Sequence, residues 1–205
     1  GNVVSIPGWD IHLENAFLDG RAFDIGGFQA PTDNAYPSRF TQEINHLETN
    51  FQNTSLNSFV QNGELILEQG RGSSSPGYHI ARGPYVVSQE AVTLEVGDSV
   101  SFEWFGLSGG DAYDVYGYLL NEDTGATITL LNDTSPTSSG SASWTTSSST
   151  VNTAGDYKFV FIGGTFDRTG GRYSGNGLKL RNVDVQQANP PPANELTARV
   201  TVQAV

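Results

Sequence analysis

From Val100 to Trp104 every second residue is apolar, with Ser101 and Glu103 between. This is the period-two pattern of a strand with one buried face. The cluster LSGGD at 107–111 breaks the run. Tyr113 to Leu120 is then a long aromatic and β-branched stretch, Asp123-Thr124-Gly125 a hairpin turn, and Ala126 to Leu131 the returning strand. Alternation sends Tyr116 and Tyr118 to one face and Tyr113 to the other. Further on, Tyr157, Phe159 and Phe161 alternate with Lys158, Val160 and Ile162. Apolar groups on both faces predict a central strand. Trp104, Tyr116, Tyr118, Phe159 and Phe161 are the expected core, buried between two sheets.

The same punctuation recurs along the chain. Val3 to Ile6 and Trp9 to Leu13 read as a strand pair around Pro7-Gly8. Residues 19–39 read as loop. Phe40, Ile44, Leu47 and Phe51 recur at helical spacing, so 40–52 is either one short helix or a decorated loop. Strands follow at Glu64 to Glu68, at Tyr78 to Ala81 and Tyr85 to Ser88 on either side of Gly83-Pro84, and at Ala91 to Val96 before Gly97-Asp98. Twelve of the sixteen residues from Ser135 to Thr150 are Ser or Thr, and there Ser143 to Val151 predicts a polar edge strand anchored by Trp144. Leu178 to Val185 is a strand after a glycine-rich stretch. About a dozen short strands separated by turns define an all-β chain, a two-sheet sandwich of jelly-roll type. Residues 1–188 form this module, 189–193 a Pro-rich joint, and 194–205 a terminal strand expected to pair back onto the same sandwich.

Charge narrows the partners. Acids outnumber bases 22 to 10, a net charge of −12, which argues against nucleic acid or an anionic membrane as partner, since both are bound through Lys/Arg patches. No apolar run approaches the ~20 residues of a membrane span. Cysteine and methionine are absent. An acidic, Gly/Ser/Thr/Asn-rich β-chain without cysteine fits a bacterial surface protein better than a disulfide-bonded secreted domain. The chain is expected to be extracellular and monomeric.

Few constellations carry chemistry. Gly106 to Gly110 matches Gly-x-Ser-x-Gly, but a strand follows where a nucleophile elbow needs a helix, and none of His12, His46 and His79 follows Ser108. The histidines have no zinc spacing. Calcium is the better candidate, because it takes six to eight oxygens from carboxylates, amides and carbonyls. Asp111, Asp114, Asp123, Asp167 and Asn176 are the expected ligands, with Asn121 and Glu122 beside them. Each is also an ordinary turn residue. Sugar binding needs an aromatic platform, and Trp144 and Tyr173 lie in polar contexts that favour the surface.

The runs DAYDVYGYLLNEDTGATITLLN at 111–132 and GDYKFVFIGGTFDRTGGRYSGNGLKLRNVDV at 155–185 resemble a module of very large repeats-in-toxin adhesins of marine Gram-negative bacteria. GPYV at 83–86 and GDSVSF at 97–102 look like the same module. The resemblance covers 83–185 well and 1–82 loosely. It implies an extracellular, non-enzymatic scaffold and adhesion module that positions neighbouring domains of the same adhesin, some relatives being split by an inserted domain. Sandwiches with this ending also resemble carbohydrate-binding modules, often with a structural calcium. That gives the alternative function, calcium-assisted glycan binding. Where the family ending has an aspartate, this chain has Arg181, so a calcium that used that carboxylate loses a ligand.

Overall fold

The structure, a computed structural model, describes residues 3–5, 8–13, 23–25, 28–30, 55–70, 80–107, 109–135, 137, 143–166 and 176–189. Fourteen strands run through them: β1 (Val3–Ser5), β2 (Trp9–His12), β3 (Phe23–Ile25), β4 (Phe28–Ala30), β5 (Leu56–Gln61), β6 (Glu64–Gln69), β7 (Ile80–Ser88), β8 (Val92–Leu94), β9 (Ser99–Leu107), β10 (Ala112–Asn121), β11 (Thr127–Thr134), β12 (Thr145–Thr150), β13 (Gly155–Phe166) and β14 (Asn176–Gln186). The first sheet has the order β12-β9-β14-β6-β5, with β1 also on β14. The second has β11-β10-β13-β7-β2, with β8 also on β13. Every pairing is antiparallel. The chain is an all-β two-sheet sandwich.

Alternation along β9 sends Val100, Phe102 and Trp104 inward to meet Tyr113, Val115, Phe159 and Phe161 of the second sheet. The aromatic rings pack edge to face, as their quadrupoles favour, with Phe102 and Phe161 centroids 5.1 Å apart and Trp104 and Tyr113 6.1 Å apart. Two glycines make room. A Cβ on Gly106 would lie 2.6 Å from the Tyr113 ring, and one on Gly117 2.6 Å from the Phe161 ring.

β13 lies between β10 and β7, as its two apolar faces predict. Its outward residues Val160 and Ile162 join Tyr85, Val87, Tyr116, Tyr118 and Leu120 in a second buried cluster. Tyr116 and Tyr118 are therefore buried, but on the outside of the second sheet rather than between the sheets. The alternation was legible; which face met the other sheet depended on Tyr113, which packs against Trp104.

Other expectations are corrected by pairing. β1 and β2 do not pair with each other: β1 joins β14 and β2 joins β7, and Gly8, at φ +54°, lies where the chain passes between sheets. Gly83-Pro84 does not divide two strands. Register sets Tyr85 opposite Ile162 and Arg82 opposite Gly164, so Gly83 and Pro84 together face Gly163 in a bulge. A bulge is a place in a sheet that tolerates proline, which has no N–H to give. Within 19–39, β3 and β4 form a hairpin. β5 pairs with β6 through Asn62 and Gly63, both with positive φ, as a type I′ turn requires. The helical reading of 40–52 and the strand at 194–205 lie outside the described residues. Among those described, no helix is long and apolar enough to cross a membrane.

Candidate functional site

The outward face of the first sheet brings the chain's surface chemistry together. Register places Phe105 beside Lys179, Lys179 beside Ile66, and Ile66 beside Phe59. Trp144 extends β12 by one residue past the Thr145–Trp104 pair and so falls beside Phe105, with ring centroids 5.7 Å apart and a 52° tilt. A row Trp144, Phe105, Lys179, Ile66, Phe59 thus crosses five strands. The next row carries exposed Thr146, then Glu103 and Arg181.

Arg181 is the centre of this face. Its guanidinium carbon lies 3.8 Å from the centroid of Trp144, a cation–π contact. Its Nη2 donates to Glu103 Oε1 at 3.1 Å, and Nη1 lies 3.8 Å from Glu64 Oε1. Asn182 donates its side-chain amide to the other Glu103 oxygen. Asn182 sits at φ +53°, a conformation Asn tolerates better than most side chains, at the bulge that interrupts the β9–β14 register. These donors, Arg181 first and Asn182 second, hold the Glu103 carboxyl below the usual carboxylate range. Lys179 lies 5.8 Å from the Phe105 centroid and 3.8 Å from Glu64. Trp144, Phe105 and Phe59 are half-buried.

The strand edge beside Trp144 is held from inside as well. Trp104 donates its indole N–H to Ser147 Oγ at 3.1 Å. The polar edge strand expected at 143–151 is observed as β12, and two tryptophans secure it, one on each face.

The carboxylates expected to hold calcium are placed apart in role. Asp114 is buried, and its Oδ1 accepts from Arg82 Nε at 2.5 Å while Oδ2 accepts from Thr134 at 2.7 Å. It neutralises a buried arginine. Asp111 is buried at the start of β10 and accepts from the Ala112 N–H. Asp123 is exposed in the β10–β11 turn, where Asn121 Oδ1 accepts the N–H groups of Asp123 and Thr124. Glu122 pairs with Lys158 at 3.2 Å. Asn176 begins β14 opposite Gln69. Asp167 and Tyr173 lie outside the described residues. Among those described, no three His, Cys, Asp or Glu side chains are grouped to hold a metal. The Gly-x-Ser-x-Gly stretch joins strand β9 to strand β10, which leaves no place for an elbow.

Sequence reasoning singled out Trp144 but missed Phe105, Arg181, Glu103 and Asn182. The available signal was parity: in β9 Glu103 and Phe105 alternate with the core residues Phe102 and Trp104, so they had to face out.

No family model and no curated protein matches this chain. Solved structures similar to it include family 29 carbohydrate binding modules. One is 11% identical at a TM-score of 0.34, over 89% of this chain and 93% of the other. A second is 12% identical at 0.32, over 91% and 89%. The K3 cleaved adhesin domain of Lys-gingipain from Porphyromonas gingivalis is 12% identical at 0.29, over 60% and 74%. These scores leave the functional reading to this chain's own side chains.

Proposed function

We propose that this chain is a non-enzymatic scaffold and adhesion module of a large extracellular bacterial surface protein, of the repeats-in-toxin adhesin kind. The observation that carries the reading is where the sandwich is attached. Val3 pairs with Gln186, so the first and last described strands lie side by side at one end of the first sheet. β14 runs down the first sheet between β9 and β6. Just past it, buried Asp98 accepts the Ala188 N–H at 3.0 Å and the Glu95 N–H at 2.9 Å, clasping the chain one residue before Asn189 and three prolines. A stiff body held at one end of a sheet can orient neighbouring domains. The module acts alone, with neighbouring domains of the same chain as its partners.

The test is retention. Beads coupled to the 205-residue chain should stay on a bacterial biofilm matrix under flow, and that matrix should release no soluble sugar or peptide. Loss of the beads would overturn the adhesion reading, and released product the non-enzymatic one. Calcium forms a separate part of the proposal, with Asp111, Asp114, Asp123, Asp167 and Asn176 as the expected ligands. Its test is a melt in EDTA against millimolar calcium, where lost ligand linkage would lower the melting temperature. An unchanged melt removes calcium from the account.

A further inference from the structure

We propose that the outward face of the first sheet is a carbohydrate-binding face for a single soluble chain of neutral hexoses. The inference rests on reading the chain as a binding module and adds the ligand class and the residues.

Three features carry it. The first is the ring pair. Trp144 and Phe105 are half-buried neighbours, 5.7 Å between centroids. Arg181 lies over the Trp144 ring and Lys179 over the Phe105 ring, and the ring area they leave exposed can meet the C–H faces of sugar rings with little entropy to lose. Their spacing suits adjacent pyranose units. Their 52° tilt does not make a flat platform. A bent platform fits a chain whose successive rings rotate, and it does not fit the flat surface of a crystalline polysaccharide.

The second feature is a prealigned donor and acceptor. Glu103 has both oxygens engaged, by Arg181 and Asn182, which fixes its plane while leaving lone pairs on each oxygen. Arg181 uses one of its five N–H groups on Glu103, its Nε is buried, and its guanidinium carbon sits 3.8 Å from the Trp144 ring centroid. A fixed acceptor beside a fixed fork of donors matches two vicinal hydroxyls, one donating to Glu103 and the other accepting from Arg181. Planar groups locked before binding lose little freedom on binding.

The third feature is charge. The chain carries −12 overall, yet here Lys179 and Arg181 balance Glu64 and Glu103. Paired acids beside each cation disfavour phosphate, sulfate or uronate. The balance leaves a neutral, hydroxyl-rich ligand as the partner the face suits.

The experiment uses the whole chain labelled with ¹⁵N and titrated with mannohexaose, cellohexaose, laminarihexaose and, as an anionic control, a hexauronate. Three indole N–H signals report, from Trp9, Trp104 and Trp144. At least one neutral hexasaccharide should shift the Trp144 indole saturably and leave Trp104 unmoved, and the hexauronate should bind more weakly. Trp144→Ala and Arg181→Lys should each weaken binding by about tenfold or more, the equivalent of ~1.4 kcal/mol, with the melting temperature of Arg181→Lys unchanged. Arg181→Lys keeps the charge and removes the fork, so an unaffected affinity in that variant would overturn the diol contact. No Trp144 shift with any neutral hexasaccharide, or tighter binding of the hexauronate or of insoluble crystalline cellulose, would overturn the proposal. Silent titrations with beads still retained would sink this inference alone. Sugar binding without retention would sink the adhesion reading instead.

Discussion

Two arginines on opposite outsides of the sandwich hold carboxylates in opposite ways. Arg82, on the second sheet, meets Asp114 with both side chains 2% exposed, next to the cluster of Tyr85, Tyr116, Tyr118 and Ile162. Arg181, on the first sheet, meets Glu103 with side chains 34% and 27% exposed, next to Trp144 and Phe105. The chemistry of the pairs is the same and the solvent differs. A buried pair is locked, because either partner left alone would be a charge without solvation. A surface pair contributes little to stability, because water and salt screen it. It can exchange partners with a ligand at small cost. The comparison separates a face that buries its ion pair from a face that keeps its ion pair partly in solvent.

The comparison breaks first at the buried pair. Arg82→Ala should cost about 3–5 kcal/mol in urea unfolding, since it strands Asp114. Phe161→Ala, which empties the space between the sheets, should cost a similar ~3–5 kcal/mol. A loss under about 1 kcal/mol in either would show that the second sheet is not the structural one. Asp98→Ala should cost less, about 1–3 kcal/mol, by leaving the Glu95 and Ala188 N–H groups without their acceptor. Its sharper readout is faster amide exchange at Ala188, and unchanged exchange would remove the clasp.

On the first sheet the expected stability effects are small. Arg181→Ala should leave the urea midpoint nearly unmoved while sugar binding is lost. Glu103 adds a pH dependence of known sign. Its folded pKa is depressed, by Arg181 first. Whatever it contributes is present above the ordinary carboxylate pKa and lost as pH falls through the lowered value. An NMR titration of the Glu103 side-chain carboxyl should therefore show a midpoint below that of a free glutamate, moving up toward it in Arg181→Ala, where Asn182 still donates. Smallest of all is Tyr118→Phe. The Tyr118 hydroxyl is buried without a hydrogen-bond partner among the described residues, and burial raises its pKa. Removing the oxygen should change stability by less than about 1 kcal/mol, and a large loss would reveal a partner.

Much of the fold was legible because its signals are local. The period-two runs gave β9, β10, β13 and β14, and the turn residues at Asp123-Thr124-Gly125 gave the β10–β11 hairpin. The Asn62-Gly63 hairpin carried an equally local signal and was obscured by the helical spacing of the residues before it. Ile25 and Phe28 are a register pair with two residues, Gly26 and Gly27, between them in sequence, another short-loop hairpin within a stretch of breakers. Partner choice was not legible. Nothing near Val3 says that it pairs with Gln186, or near Trp9 that it pairs with Ser88, because such pairings span the whole chain. The same limit governed the site. Trp144 was visible as an aromatic in a polar run, but Arg181 and Glu103 lie 37 and 41 residues away in sequence and meet it only through the β12-β9-β14 order. The pairing of Asp114 with Arg82, 32 residues away in sequence, was equally out of reach of local pattern.

On one outside of the sandwich Arg82 is buried and on the other Arg181 is partly exposed, and the comparison stands on that difference. Paramagnetic relaxation by a neutral soluble gadolinium chelate tests it most directly, read at the Arg82 and Arg181 guanidinium groups and at the Trp144 and Trp104 indoles. The account predicts strong broadening at the Arg181 Nη groups and Trp144, and almost none at Arg82 and Trp104. Equal broadening of the two arginines, or a protected Trp144, would contradict it.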